Sequence, residues 1–274
     1  MTDAHLHFVD LAGRDPGFAA AYAAGPYLAC AASHDEEEFL ATEALAAPPP
    51  GGRGLRFAAS FGIHPQWAVW KHADFLAGLC AAGRIAAIGE AGFDLFGDRP
   101  ERVRNEGNLK VQRAVFEFQL GLARRWDLPM VLHVRKAADL VFAYARELAA
   151  LPAVVMHAYS GTAREAADLL GRGVPAYFSF GASLANGHKR AIEACAALPA
   201  DRLLAETDAP WQPPRGEPFC KLEHITLVIG TMAGIRGVAR AALEERLADN
   251  FAAAYPKAAG LVAVARAGAG TGEA

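Results

Sequence analysis

The sequence predicts a (β/α)8 barrel. Three observations carry this: eight short β-rich runs, amphipathic helical stretches between them, and histidines and carboxylates recurring where the runs end. Strands alternating with helices imply a parallel sheet, and eight of them imply a closed barrel. The chain has 274 residues, close to the size at which such barrels occur. An open doubly wound sheet is the alternative, but no glycine-rich phosphate fingerprint follows the first run. Residues 1–258 are expected to form the single barrel domain. Residues 259–274 are expected to form a tail that is disordered in part, because it is rich in Gly and Ala from Ala267 onward.

The runs, in order, are Thr2–Phe8, Tyr27–Ala31, Leu55–Gly62, Arg84–Gly89, Met130–His133, Val154–His157, Ala176–Phe180 and Leu203–Glu206. Helical stretches are expected at Asp35–Ala46, Asp74–Ala82, Leu109–Trp126, Ala137–Ala150, Ala163–Gly171, Lys189–Leu198 and Ala239–Ala254. In Leu109–Trp126 the apolar residues Leu109, Val111, Val115, Phe118 and Leu122 fall near one side at helical period. Pro48–Gly52 reads as a turn or flexible loop, and Asp94–Gly107 as a long, solvated connection of mixed charge.

Composition narrows the function. A net charge of −3 argues against a broad basic face for non-specific nucleic-acid binding, while leaving room for a local phosphate site. No apolar run approaches the ~18 residues of a membrane span. The start, with Asp3 and two histidines, is no signal peptide. The four cysteines stand far apart with no Cys-x-x-Cys, so free thiols in a cytoplasmic protein are the simplest expectation. No P-loop, serine-nucleophile elbow or His-Glu-x-x-His is present, and no organic cofactor is expected.

The chemistry gathers at the C-terminal ends of the runs, where a barrel builds its active site. In a strand, Asp3, His5 and His7 share one face. Read alone, that face is either a metal site or a pair of hydrogen-bonded core histidines. Farther along, His64 follows the third run, Glu90 the fourth, and His133 and His157 end the fifth and sixth. Glu206 ends the eighth, with Asp208 two residues on. Burying so many ionisable groups unpartnered costs several kcal/mol each. Divalent cations remove that cost, so a metal site is favoured over a structural cluster.

The ordered set D3-x-H5-x-H7, I88-G89-E90-A91-G92-F93-D94, L132-H133-V134-R135, M156-H157-A158-Y159-S160-G161-T162 and L203-L204-A205-E206-T207-D208-A209-P210-W211 resembles the TatD family. These are metal-dependent hydrolases and deoxyribonucleases of the amidohydrolase superfamily of barrels. Gly62-Ile63-His64-Pro65, Gln112, Phe116, Gln119, Ala123, Asn250 and Phe251 also sit as in the family pattern, and the resemblance runs from residue 2 to about 255. It implies two divalent metal ions, with His5, His7 and Asp208 on one, His133 and His157 on the other, and Glu90 bridging them. Mg, Mn and Zn all remain open, because the ligand set mixes imidazole with carboxylate. Asp208 is expected to take the proton of the attacking water. Glu206 is expected to act as base, as support behind a ligand, or only structurally. Asp3 is expected to support rather than ligate, with a solvent-side hydrogen bond as the bland alternative.

DNA is the nucleic-acid substrate the resemblance implies, cleaved at its phosphodiesters. Another ester or amide, such as the ester of a mischarged tRNA, is the alternative within the same chemistry, and a non-catalytic metal-binding barrel the alternative outside it. Three residues are candidate substrate contacts, each with a plain structural counterpart. His64 could touch a phosphate or be a loop histidine. Arg135 could fork onto a phosphate or pair with a neighbouring carboxylate. Trp211 could stack on a base or pack. The chain departs from the family at Val134-Arg135-Lys136 and at Gly216 before Glu217-Pro218. Cys220 and His188 have no assigned role.

Overall fold

The computed structural model describes residues 1–47 and 54–269. The expected loop at Pro48–Gly52 lies outside them. Eight parallel strands run in sequence order around a barrel: β1 Thr2–Leu6, β2 Leu28–Ser33, β3 Phe57–Phe61, β4 Ala87–Asp94, β5 Met130–Arg135, β6 Val154–Met156, β7 Ala176–Phe180 and β8 Leu203–Ala205. The helices are α1 Phe8–Arg14, α2 Phe18–Ala24, α3 Glu36–Ala44, α4 Ala73–Ala81, α5 Glu106–Trp126, α6 Ala138–Ala143, α7 Ala145–Leu148, α8 Ala163–Gly171, α9 Lys189–Ala197, α10 His224–Arg236, α11 Arg240–Ala254 and α12 Ala259–Ala269. The seam between the last strand and the first is closed beyond β8. There the Asp208 N–H donates to the His5 carbonyl at 2.9 Å and the His7 N–H to the Ala209 carbonyl at 2.8 Å. Barrel closure therefore fixes His5, His7 and Asp208 against one another.

One layer below the histidines the barrel is filled by small and branched side chains, among them Ala4, Cys30, Ala58, Val131, Val155 and Leu204. Phe251 and Tyr255, at the end of α11, belong to the same cluster, and the Tyr255 hydroxyl donates to the Ala4 carbonyl at 2.8 Å. Val262 of α12 is buried there too, so Ala259–Ala269 is helical and is packed on the barrel through Val262. Residues 270–274, where fraying was also expected, lie outside the described residues.

Helix α5 ties the upper loops down. It starts at an Asn105 cap, whose side chain accepts the Asn108 N–H. Its buried face carries two glutamines seven residues apart, two turns of helix. Gln119 exchanges both amide hydrogen bonds with the Ile63 backbone, at 2.9 and 3.1 Å. Gln112 does the same for Asp94, at 3.0 and 2.9 Å. These bonds hold the chain beside His64 and at the end of β4.

Several boundaries differ from expectation. β4 runs on to Asp94, its pairing with β5 shifting register between Ile88 and Ala91, where Gly89 lets it bend, and resuming from Ala91. A Cβ at Gly89 would lie 2.6 Å from the Val131 carbonyl oxygen. β1 stops at Leu6, and His7 becomes the residue that caps α1. The expected helix Ala137–Ala150 breaks into α6 and α7 at Tyr144. Helices α1, α2, α10 and α12 were not anticipated. On α5 the buried stripe is Gln112, Val115, Phe116, Gln119, Leu120, Leu122 and Ala123, while Val111 faces solvent. An apolar pattern alone cannot find a face whose work is done by glutamines. The Asp94–Gly107 connection is also less solvated than expected: Arg102 is buried and donates to Asp98 and to the Gln66 amide oxygen.

Replacing Gln119 by Ala leaves a buried N–H and carbonyl of Ile63 without partners. The expected loss is about 1–3 kcal/mol, read as a lower urea midpoint at unchanged slope. An unchanged midpoint would show that the loop holds itself.

Candidate metal centre

The Glu90 carboxylate sits at the centre of the barrel mouth. Its Oε1 lies 3.3 Å from His64 Nε2, 3.3 Å from His133 Nδ1 and 3.5 Å from His157 Nε2. Its Oε2 lies 3.1 Å from His5 Nε2, 3.5 Å from His7 Nε2 and 3.3 Å from His34 Nε2. Each oxygen thus faces three imidazoles, those at Oε2 from β1 and the end of β2 and those at Oε1 from β5, the end of β6 and the turn after β3. Two glycines make room for this: Gly89 as above, and Gly62, where a Cβ would lie 2.6 Å from the Glu90 carbonyl oxygen. Asp208 completes the ring, with Oδ1 at 3.4 Å from His7 Nε2 and 3.8 Å from His5 Nε2 and Oδ2 at 3.9 Å from His157 Nε2.

All six residues expected as ligands therefore converge. Among the described residues four ligand groups form, each with donor atoms mutually within 4.8 Å: His5, His7 and Glu90; His5, His157 and Asp208; His64, Glu90 and His133; and, toward the rim, His7, Asp10 and Glu38. A mixed imidazole and carboxylate donor set fits divalent transition cations. His5 and His7 bring ring nitrogens 3.3 Å apart, a close meeting of lone-pair donors that a cation between them relieves.

A second layer of carboxylates sets which nitrogen faces inward. Asp94 Oδ2 is 3.0 Å from His133 Nε2, leaving Nδ1 toward Glu90. Glu206 is 3.1 Å from His157 Nδ1, leaving Nε2 inward, and it also accepts the Ala158 N–H at 2.8 Å. With both oxygens so engaged and no exposure, Glu206 supports His157, and the alternative of a base finds no open side. Asp3 is buried, which overturns the solvent-side alternative. It accepts the Thr207 N–H at 3.0 Å, the Thr207 hydroxyl at 2.6 Å and the His5 N–H at 3.2 Å. It is a strap from β1 to the segment that carries Asp208. That segment turns sharply, with Asp208 at φ 56°, and Lys136 and Ala158, just after β5 and β6, also have positive φ. Non-glycine residues in this region cluster at functional sites.

Charge follows the geometry. Burial pushes the Glu90 carboxyl upward, but the surrounding imidazoles outweigh this and hold it well below the usual range. Burial opposes the charge on His7 and His157, yet Asp208, Glu90 and Glu206 raise them to about 9 and about 10. His64 goes the other way, to about 3, because burial and the neighbouring histidines outweigh Glu90. Burial lifts the Asp3 carboxyl to about 7, against its bonds from Thr207.

His64 is therefore placed beside Glu90 and His133, deeper than a rim contact. Its Nδ1 accepts the Gln66 N–H at 3.1 Å. Among the described residues Arg135 makes no ion pair; its guanidinium lies 3.6 Å from the Phe96 ring centre. Trp211 stands half exposed with Arg14 over its ring at 5.4 Å. Cys220 is buried, its thiol donating to the Thr207 carbonyl at 3.2 Å. Sequence reasoning missed His34 and Asp94. His34 follows β2 directly, and asking what ends every strand would have found it. Asp94 was hidden by ending β4 five residues early.

Asp3→Ala strips Thr207 of the partners for its buried N–H and hydroxyl. The expected cost is about 1–3 kcal/mol, seen by calorimetry as a lowered Tm. Asp3→Asn, which keeps an acceptor for the N–H, is expected to lose less; equal losses would count against the strap.

Comparison with known proteins agrees with this geometry. A family model described as "TatD related DNase" matches residues 2–256. The Erwinia tasmaniensis protein named 3'-5' ssDNA/RNA exonuclease TatD is 33% identical over 187 residues, which are 63% of this chain and 69% of that protein. The Escherichia coli protein named uncharacterized metal-dependent hydrolase YjjV is 33% identical over 167 residues, 58% of this chain and 60% of that one. The crystal structure of YjjV superposes with a TM-score of 0.76 at 26% identity, covering 93% of this chain and 98% of the other. A structure from Entamoeba histolytica described as a hydrolase of the TatD family shares the fold, with a TM-score of 0.75 at 16% identity. With a family match over nearly its whole length and the Glu90-centred histidine cluster in place, the chain belongs to the TatD-related DNase family of metal-dependent hydrolases.

Proposed function

We propose that this protein is a divalent-metal-dependent nuclease that hydrolyses phosphodiesters at the end of single-stranded nucleic acid, DNA being the first substrate to test. The observation that carries the reading is the placement of Glu90, each of whose oxygens faces three imidazoles. That arrangement suits two cations sharing one carboxylate. His5, His7 and Asp208 would hold one, and His133 and His157 the other. Held there, two such ions would supply a water of lowered pKa and polarisation of a phosphoryl oxygen. The names of relatives that act on ssDNA and RNA support the substrate class.

The remaining chemistry belongs to the chain's own residues. The Asp208 carboxylate is held by the Gln212 amide, which donates to Oδ2 at 2.7 Å, and it takes the proton of the attacking water. Glu206 and Asp94 keep His157 and His133 in one tautomer and one orientation, so the donor set is in place before substrate arrives. The Asp3–Thr207 strap keeps Asp208 in register with His5. With cations held among Glu90 and the histidines, the centre would favour an anion over a neutral amide.

The test is metal-stripped protein reloaded separately with Mg, Mn and Zn and offered single-stranded DNA, RNA, duplex DNA and aminoacyl-tRNA. Single-stranded nucleic acid is expected to be trimmed. Asp208→Asn is expected to lower kcat by about 10²–10⁴ with unchanged Tm. Elemental analysis is expected to find two ions per chain. A chain that binds no metal, or that cleaves only aminoacyl-tRNA, would overturn the reading.

A further inference from the structure

The metal centre opens between two cavities of opposite character. The first, of about 610 Å³, reaches His157 and is lined by Phe96, Arg135, Lys136, Ser160 and Arg190. Its two carboxylates are engaged elsewhere: Asp139 accepts both ends of the Arg104 guanidinium, and Glu165 accepts the N–H and hydroxyl of Thr162. Arg135, Lys136 and Arg190 form no ion pair among the described residues. The first two lie against one aromatic ring, 3.6 and 5.0 Å from the Phe96 centre. The second cavity, of about 470 Å³, reaches His34 and His64. It is lined by Asp10, Asp35, Glu37 and Glu38, with Lys71 as its one lysine and Trp67 as its exposed aromatic.

A polynucleotide longer than two residues carries a phosphate on at least one side of the bond being cut. Phosphates are drawn to unpaired cations and repelled by carboxylates, most strongly where protein walls keep water away. A nucleoside end without a phosphate is neutral and has a ring that stacks on Trp. We propose that this sidedness sets how the strand lies. The phosphates of the retained chain run through the basic cavity at Lys136 and Arg190, and the residue being released lies in the acidic cavity, its base against Trp67. The attacked end must then carry a hydroxyl, because a terminal phosphate would meet Asp10, Asp35 and Glu37. This rests on the nuclease reading above and adds to it the side on which the retained chain lies and a requirement on the end group.

Four single-stranded 12-mers test it on the full-length, metal-loaded chain: hydroxyl at both ends, phosphate at the 3′ end, phosphate at the 5′ end, and phosphate at both. Bis(p-nitrophenyl) phosphate, whose single phosphate cannot reach the basic cavity, serves as reference. A phosphate on the attacked end is expected to lower kcat/KM at least tenfold, and a phosphate on the far end to leave it unchanged or higher. Lys136→Ala with Arg190→Ala is expected to raise the 12-mer KM at least tenfold relative to that of the reference diester. In EDTA, where no turnover occurs, fluorescence anisotropy is expected to show weaker 12-mer binding by this variant. Its salt slope is expected to fall by about 0.7 for each cation removed. Asp10→Asn with Glu37→Gln is expected to narrow the discrimination against a terminal phosphate. Equal cleavage of all four oligonucleotides, or an unchanged KM ratio in the double alanine variant, would overturn the proposal while leaving the nuclease reading intact; cuts at internal bonds would overturn the proposal and, with it, the end-directed part of that reading. Failure of the wild-type chain to bind or cleave either kind of diester would remove both.

Discussion

A single buried carboxylate governs this structure. Glu90 is almost fully shielded from solvent, and six imidazole nitrogens lie within 3.5 Å of its two oxygens. A buried charge of that kind is tolerated only when it is paired and its geometry is held closely. The backbone around it is arranged for nothing else. β4 carries Gly89 and Gly92 on either side of it, β3 is followed by Gly62 against its carbonyl, and the histidines arrive from β1, β5, the ends of β2 and β6, and the turn after β3. Were Glu90 displaced, the histidines would lose the anion they share, and His5 and His7, whose ring nitrogens lie 3.3 Å apart, would be left with Asp208 alone.

The layer behind the histidines turns this charge into a defined site. An imidazole offers either of two nitrogens, and the choice is made by whatever the other nitrogen meets. Asp94 and Glu206 make that choice in opposite senses, so His133 points Nδ1 inward and His157 points Nε2 inward. The two glutamines of α5 secure the loop beside His64 and the strand end that carries Asp94, so the outer helix layer reaches the centre in two hydrogen-bonded steps. At the seam, the bonds that close the barrel also set His5 against Asp208, and Asp3 locks Thr207 between them. Fold stability and site geometry here are the same set of contacts.

Much of this was legible from residue order. Alternation along a strand placed Asp3 and His5 on one face, and the recurrence of His and carboxylate at strand ends located the centre. What was not legible has physical causes. His34 stands in Ser33-His34-Asp35, where Asp35 reads as the cap of the following helix, and nothing local says that the ring turns inward. β4 was cut short at Gly89 because glycine ordinarily ends a strand, whereas here it permits close approach to β5. The buried face of α5 was misjudged because Gln112 and Gln119 bond backbone rather than fill apolar space. α10 escaped notice because its apolar residues Ile225, Val228, Ile229 and Met232 are accompanied by Leu227 and Ile235 and leave no polar stripe to reveal a period.

The division of the mouth follows from the same source as the centre. In a barrel of this kind each βα connection contributes a sector of the rim. The connections after β1 and β2 supply Asp10, Asp35, Glu37 and Glu38, three of them in or next to the first turn of α3, where acidic side chains favour a helix start. The connections after β5 and β7 supply Arg135, Lys136 and Arg190. A net charge of −3 hides this separation, since the total is blind to which sector each charge occupies. A chain that is acidic overall can therefore offer an anionic polymer a local path, provided the path enters on one side only. Overall charge argues about solubility and long-range approach; the order of residues around the rim decides which way a strand can lie.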